Sequence, residues 1–150
     1  MSIEQEIHGR FRNPYHKGLI NLIYTAKQVS YEFMQSLKKH DMTDQQYNVL
    51  RVLRGYRDKG PQNIGFIKEH MLDKQSDMSR IIDRLYEKGM VSREENPEDR
   101  RQKLVEITDK GLKLLDEMFD CEKSSDRLLS NLSLEEIDQL NKLLDKVREK

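Results

Sequence analysis

The chain has 150 residues, of which 35% are hydrophobic and 36% charged, and its 27 basic side chains balance its 27 acidic ones. This length suits one domain, and the low apolar content favours long amphipathic helices that share a core with a partner chain. The chain has no long apolar run, which argues against a membrane span, and its polar N-terminus is unlike a secretory signal. The single cysteine, Cys121, excludes an intrachain disulfide framework and fits a reducing cytoplasm.

The charge is unevenly distributed although it sums to zero. Residues 1–72 carry 11 basic and 7 acidic side chains (net +4), residues 73–103 carry 8 of each, and residues 104–150 carry 8 basic and 12 acidic (net −4). Such a separation is compatible with one face directed at DNA. Because no general basic field is present, we expect modest non-specific affinity for nucleic acid.

Hydrophobic periodicity predicts helices along most of the chain, after an N-terminal arm over residues 1–13. The first three predicted helices cover about residues 14–39, 44–57 and 63–72. A fourth follows a turn of three to four residues, with Asp73 as its N-cap and Gly89 at the left-handed position that ends it. Its apolar stripe consists of Met78, Ile81, Ile82 and Leu85. A short helix, a turn and a polar-faced helix are the pattern of a helix-turn-helix.

A β-hairpin is predicted after the fourth helix. Residues 90–93 and 103–107 are β-prone, and a charged turn built on Asn96-Pro97 separates them. A hairpin in this place is a wing, and the Arg100 and Arg101 side chains at its tip are suited to the concentrated negative potential of a minor groove.

Two more helices are predicted after the hairpin. Thr108 is placed to cap a helix that runs to about Leu129. Ser133 and Glu136 form a capping box that opens the last helix, about residues 134–148.

The polar face of the fourth helix presents groups that contact DNA in other proteins. We expect Arg80 to address a guanine edge, Gln75 an adenine, and Ser76 and Ser79 a phosphate or a base near the helix start. Arg84 lies further along, where it either contacts DNA or pairs with a neighbouring acid. The phosphate candidates are Lys74, Arg93 and Lys103.

The stretch SDMSRIIDRLYEKGMVSREENPEDRR, followed by ITDKG, resembles the MarR family of winged helix-turn-helix transcription regulators. In that family a serine and an arginine open the recognition helix, K-G closes it, D-R-R lies in the wing, and L-T-x-x-G opens the next helix. Ile107 stands here where the family usually has leucine. The resemblance puts the minor-groove arginine at Arg101, oriented by a salt bridge from Asp99, with Arg100 on the DNA backbone.

The resemblance implies a mainly α fold with a small β-hairpin wing, in a single domain covering residues 1–150. The DNA-binding lobe would span about residues 43–108, and the dimerisation helices about 14–39 and 109–149. It also implies a homodimeric repressor whose two recognition helices lie about 34 Å apart on a pseudo-palindromic operator. Many relatives are released by a small aromatic or anionic effector, and the candidates to contact one here are Tyr15, His16, Tyr24, Tyr31 and Tyr47.

Several alternatives stay open. In one alternative the chain is an activator, or a regulator without a ligand. In another it is a helical protein-interaction module that does not bind DNA, and the neutral net charge of residues 73–103 favours this second alternative. The terminal helices would also bury their stripes by packing on each other within one chain. No catalytic motif is visible and the four histidines lack ligand spacing, so we predict no enzyme activity, cofactor or metal. Acidic neighbours favour a plain helix cysteine over a redox sensor at Cys121.

Overall fold

The computed structural model describes residues 1–150 and is mainly helical, with one small antiparallel sheet. Two compact units are distinguished, Met1–Thr43 and Asp44–Lys150. None of the helices combines the length and the apolar character that crossing a membrane requires. The predicted fold class is therefore confirmed, and the bounds of several elements differ from those predicted.

The first unit contains a short helix, α1 (Ile3–Ile7), and a long one, α2 (Pro14–Lys38). The N-terminal arm predicted over residues 1–13 contains the short helix α1, where the Ser2 N–H donates to Gln5 Oε1 in a capping box. α2 begins as predicted with Pro14 in its first turn, and the Asn13 side chain caps it by accepting from the His16 N–H.

The second unit holds the remaining elements. In chain order these are α3 (Asp44–Gly55), a 3₁₀ turn (Arg57–Lys59), β1 (Gln62–Asn63), α4 (Ile64–Glu69), α5 (Met78–Glu87), β2 (Val91–Glu95), β3 (Lys103–Ile107), α6 (Asp109–Glu117), α7 (Phe119–Asp126), a 3₁₀ turn (Arg127–Leu129) and α8 (Leu134–Arg148). The connection between α4 and α5 covers residues 70–77, so the predicted turn of three to four residues is too short.

The apolar stripe of α5 forms the centre of the core of this unit, as predicted. Its four members are buried, and Ile82 and Leu85 are only 1% and 0% exposed. Helices α3 and α4 and the sheet surround these four residues and pack against α5 and against one another. They contribute Leu50, Ile67 and Val105 to the core. Burying a side chain of this size stabilises a fold by about 1.5–3 kcal/mol, so the stripe holds α5 firmly in place.

The hairpin is present, and a third strand extends it. The strand order is β1-β3-β2, all antiparallel, with Val105 opposite both Gln62 and Arg93. The bounds of β3 are those predicted, whereas β1 was not predicted. Its two residues carry no strand pattern of their own. They form a strand because they pair with β3, which lies far along the chain.

Two glycines have a steric reason to be where they are. Gly89 has φ +73° and lies just after α5, where the Met90 N–H reaches the Leu85 carbonyl in a Schellman arrangement. A Cβ on Gly111 would lie 2.5 Å from the Met90 carbonyl oxygen, so α6 approaches the start of the hairpin too closely for a side chain. Thr108 caps α6 as predicted by accepting from the Gly111 N–H.

The helix predicted to run from Thr108 to Leu129 is divided in two. Met118 separates α6 from α7, with ψ near 2° and its side chain fully buried. The sequence shows no glycine or proline at this point to mark the interruption, so the prediction of a single helix is wrong. The last helix begins with the predicted capping box, in which Ser133 and Glu136 exchange hydrogen bonds of 2.8 and 3.2 Å.

Candidate nucleic-acid interface

The start of α5 is set by two aspartates rather than one. Asp77 is its N-cap and accepts from the Arg80 N–H, so the prediction of Asp73 as the cap is wrong by one turn. Asp73 accepts instead from the Gln75 N–H and orders the preceding turn. Gln75 is exposed in that turn rather than on the helix.

Ser76 is placed differently from the other predicted contact residues. It is 5% exposed, and its hydroxyl donates to the Asp73 carbonyl at 2.8 Å and accepts from Gln45 Nε2 at 3.2 Å. A hydroxyl that is buried and doubly engaged is a poor partner for a phosphate or a base. Its position makes Ser76 a support of the turn, correcting the expectation of a direct contact.

Two further supports of this turn were missed in the sequence. Gln45 holds Ser76, and the Asn48 side chain accepts from the Leu72 N–H at 2.8 Å. Both lie on α3, more than twenty residues away along the chain. Their amide side chains carry no local signal of this role, because it depends on how α3 packs against the turn.

The exposed face of α5 carries Ser79, Arg80, Asp83 and Arg84. The Arg80 guanidinium has no acidic partner. Arg84, in contrast, pairs with Glu87 at 3.7 Å, which is the predicted alternative of pairing with a neighbouring acid. Two of the phosphate candidates are engaged as well. Lys74 donates to the Glu69 carbonyl, and Lys103 pairs across the hairpin with Glu95 at 3.7 Å. Exposed pairs of this kind contribute less than about 1 kcal/mol and exchange readily.

The tip of the hairpin is a tight, hydrogen-bonded turn. The Gln102 N–H donates to the Asp99 carbonyl and the Asn96 N–H to the Gln102 carbonyl, at 3.0 and 3.1 Å. The Asp99 carboxylate accepts from the backbone N–H of Arg101 at 3.0 Å. The expected salt bridge to the Arg101 guanidinium is therefore absent, because an aspartate in a turn reaches the backbone two residues on more readily than a long side chain.

Arg100 and Arg101 are both exposed at the hairpin tip, with no ionic partner for either guanidinium. Together with Arg80 they are the predicted contact arginines that the chain leaves free. Arg93, in contrast, forms an ion pair with Asp83 and lies over the ring of Tyr86, with Cζ 4.0 Å from the ring centroid.

The aromatic candidates for an effector do not form a set on one helix face. Tyr15 and Tyr31 are exposed on α2, and Tyr24 donates to Glu6 Oε2 at 3.2 Å. Tyr15 and Tyr24 are nine residues apart, which places them on opposite sides of the helix. His16 Nδ1 accepts from the Arg12 N–H at 3.2 Å, and its ring contacts that of Phe11 edge-on.

Tyr47 belongs to a polar network that was not predicted. Its hydroxyl donates to Glu122 Oε1 at 2.7 Å, and Arg54 Nη2 donates to the same oxygen at 3.1 Å. Burial, followed by the adjacent Glu122 carboxylate, raises the pKa of Tyr47 well above its ordinary value. This network links α3 to α7, and the Tyr47 hydroxyl has its hydrogen-bond partner, Glu122, within the protein.

The chain is similar to known transcriptional regulators. The family model described as "MarR family" matches residues 42–103. The uncharacterized HTH-type transcriptional regulator YkoM of Bacillus subtilis (strain 168) is 32% identical over 121 residues, covering 80% of this chain and 77% of that protein. The HTH-type transcriptional repressor IacR of Pseudomonas putida is 30% identical over 112 residues, covering 74% of this chain and 65% of that protein.

A solved structure extends the likeness to the whole fold. The crystal structure of a cysteine-to-serine mutant of MarR from E. coli complexed with operator DNA has a TM-score of 0.74 and 27% sequence identity, covering 88% of this chain and 94% of that one. Both relatives are named as transcriptional regulators rather than enzymes, in line with the sequence. The chain belongs to the MarR family of DNA-binding transcriptional regulators.

Proposed function

We propose that the protein is a homodimeric repressor that occupies a pseudo-palindromic operator overlapping a promoter and leaves it when a small aromatic or anionic effector binds. The observation that carries the DNA-binding part is the contrast among the arginines of residues 73–103. Arg80, Arg100 and Arg101 are exposed and free of acidic partners, whereas Arg84 and Arg93 are paired. Free guanidinium groups on a helix and on a hairpin tip are suited to base edges and to a narrow minor groove.

In this proposal α5 is the recognition helix and enters the major groove. Arg80 makes the bidentate contact with a guanine, Ser79 a phosphate contact, and Gln75 reaches an adenine from the preceding turn. Arg101 enters the minor groove and Arg100 binds the backbone, while Asp99 shapes the turn that presents them. Lys74 and Lys103 exchange their weak internal partners for phosphates.

The dimer follows from the apolar surface that the terminal helices leave uncovered. Leu19 and Leu22 on α2 and Leu143 and Val147 on α8 are all exposed. We propose residues 43–108 as the DNA-binding lobe, and residues 14–39 and 109–149 as helices that pack on the partner subunit. The name of IacR, a repressor, supports the sign of regulation. A repressor of transcription works where the DNA is, which we propose to be the cytoplasm.

Release requires an effector that binds one form of the dimer more tightly than it binds the DNA-bound form. In the effector-bound form the two recognition helices no longer match the spacing of the operator half-sites. Tyr15, His16, Tyr24 and Tyr31 remain candidates for such a contact. The Tyr47 hydroxyl is engaged by Glu122, so a ligand would have to displace that carboxylate. An activator or a ligand-independent regulator is distinguished by transcription from the bound promoter, with and without the protein.

The first test is selection of bound duplexes from random DNA, followed by fluorescence anisotropy on the selected and a scrambled duplex at two salt concentrations. We expect strong preference for the selected duplex. In the Arg80→Ala variant, affinity falls by about 1–3 kcal/mol and the preference at one base position relaxes. Arg84→Ala, one turn along the same helix, is the matched control and changes affinity far less. Equal, weak binding of the wild-type protein to both duplexes would contradict the proposal.

The wing is tested by the same measurement on duplexes with narrow and wide minor grooves. Arg101→Ala is expected to cost about 1–3 kcal/mol, mainly on narrow grooves, because the groove concentrates negative potential there. Arg100→Ala, its neighbour, lowers affinity to a similar extent for all sequences. Unchanged affinity of Arg101→Ala on narrow-groove duplexes would remove the wing from the mechanism.

A further inference from the structure

Arg93 differs from the other arginines of the proposed interface in where its side chain points. It is two residues after the buried Val91 in β2, so both lie on the same face of the strand, toward the helices. Its side chain is 31% exposed, against 62% for Arg84 on the helix. A strand arginine on the inner face is constrained by its neighbours in a way that an outward-facing arginine is not.

The guanidinium of Arg93 is occupied at its edge and on its face. Nη1 pairs with Asp83 Oδ1, and the planar group lies over the Tyr86 ring with Cζ 4.0 Å from the centroid. Asp83 and Tyr86 are three residues apart on α5 and therefore lie on one side of that helix. An arginine is suited to this double contact because its flat, delocalised cation forms hydrogen bonds in its plane and stacks on an aromatic face.

The position of Asp83 gives this contact a consequence for DNA reading. Asp83 is three residues after Arg80, at a spacing where the two side chains are neighbours on the exposed face of the helix. A carboxylate left free there would draw the Arg80 guanidinium away from the groove and repel the phosphates. The pairing of Asp83 with Arg93 neutralises that carboxylate and leaves Arg80 without an acidic partner.

We infer that Arg93 is a positioning residue for DNA recognition: it fastens the wing to the recognition helix through Asp83 and Tyr86 and keeps Arg80 free, and it is not a phosphate contact. The inference rests on the proposed DNA-binding function. It replaces the phosphate role expected for Arg93 from its charge alone, and it makes the geometry between α5 and the hairpin tip depend on a three-residue contact.

The experiment is a double-mutant cycle on the selected duplex with Arg93→Ala, Asp83→Asn and the pair. We expect Arg93→Ala to lower affinity about five- to thirtyfold and to lower the ratio of selected to scrambled binding. The plot of log affinity against log salt should keep its slope. In the Asp83→Asn background, the same change should alter affinity clearly less, because the ion pair is already lost and only the stacking on Tyr86 remains.

Two conservative variants separate positioning from charge. Arg93→Lys keeps the cation but loses the fork and the stacking, so it should lose preference nearly as Arg93→Ala does. Tyr86→Phe keeps the ring face and should behave as wild type. The inference is overturned if Arg93→Ala reduces the salt slope by about 0.9, as loss of one phosphate contact does, or has equal effects in both backgrounds.

The control for the underlying function is the wild-type protein with Arg80→Ala beside it. A wild-type protein without preference between the two duplexes overturns the proposed function and this inference together. A preference that depends on Arg80, combined with an additive cycle for Asp83 and Arg93, overturns only this inference. Urea unfolding of each variant identifies any loss of preference that comes from loss of the fold.

Discussion

Helices α5 and α8 show opposite relations to the rest of the chain. In α5, four of ten residues are buried, and they form one continuous stripe. In α8, none of fifteen residues is buried, although Ile137, Leu140 and Leu144 form a similar stripe. A short amphipathic helix gains most of its stability from packing rather than from propensity. The packing around α5 is therefore completed within one chain, whereas under the proposed function α8 gains its packing from the partner subunit.

Under the proposed function, the apolar stripes of these helices stabilise two different things, the fold of each chain and the association of two chains. The stripe of α5 contributes to the folding of each chain, while the stripes of α2 and α8 contribute to association under the proposed function. A variant in the first set should unfold the lobe, and a variant in the second should divide the dimer and leave the lobe folded.

The largest effect is expected from a charge in the proposed dimer surface. Leu143→Glu places a carboxylate in both subunits, and each buried, unpaired charge costs about 3 kcal/mol or more. Because Leu143 is 62% exposed in the single chain, the lobe itself should stay folded. Sedimentation at micromolar concentration should find monomers. Lys142→Glu, on the side of α8 opposite the stripe of Ile137, Leu140 and Leu144, should remain dimeric. A dimeric Leu143→Glu variant would contradict the assignment of α8.

The next effect is expected in the core of the lobe. Leu85→Ala should lower the free energy of unfolding by about 2–5 kcal/mol, because its side chain is fully buried and the site cannot collapse completely. Leu134→Ala, at a leucine that is 88% exposed and off the α8 stripe, should stay within about 0.5 kcal/mol of wild type. Urea unfolding at one fixed protein concentration measures both. Equal losses at the two positions would remove the distinction between the helices.

The smallest effect is expected at the network that joins α3 to α7. Tyr47→Phe removes the hydrogen bond to Glu122 and should lower the free energy of unfolding by about 1–2 kcal/mol at neutral pH. The pKa of Tyr47 is raised in the folded state, so this contribution is complete below the ordinary tyrosine pKa of about 10 and is lost as the pH rises above it.

The pH dependence gives this third prediction its control. The difference between wild type and Tyr47→Phe should shrink as the pH rises above about 10, since the wild-type tyrosine then resists ionisation in the fold and the phenylalanine has nothing to ionise. A constant difference between wild type and Tyr47→Phe across this range would contradict a buried, hydrogen-bonded hydroxyl.

The sequence predicted the features whose signals are local. The stripe of α5 follows from the helical period, Gly89 from the left-handed turn after the helix, and the Ser133–Glu136 box from its spacing. Each signal lies within a few residues of the structure it determines. The family resemblance added the functional class, which no periodicity contains.

The features that were missed depend on residues far apart in the chain. Asp73 and Asp77 both accept a backbone N–H, so the local pattern does not decide between them as the helix cap. Ser76, which lies between them, is held by Gln45 of the distant α3. No glycine or proline marks the break at Met118. The charge of Arg93 indicated a phosphate contact, and only its packing on α5 shows the carboxylate and ring that occupy it.

The number of chains bound to one operator duplex tests the proposed dimer most directly. Sedimentation of the protein with a full pseudo-palindrome and with a single half-site, at the same concentrations, provides it. We expect two chains on the full operator, much weaker binding to the half-site, and loss of this difference in Leu143→Glu. One chain on the full operator, bound as tightly as to the half-site, would contradict a dimer assembled by the terminal helices.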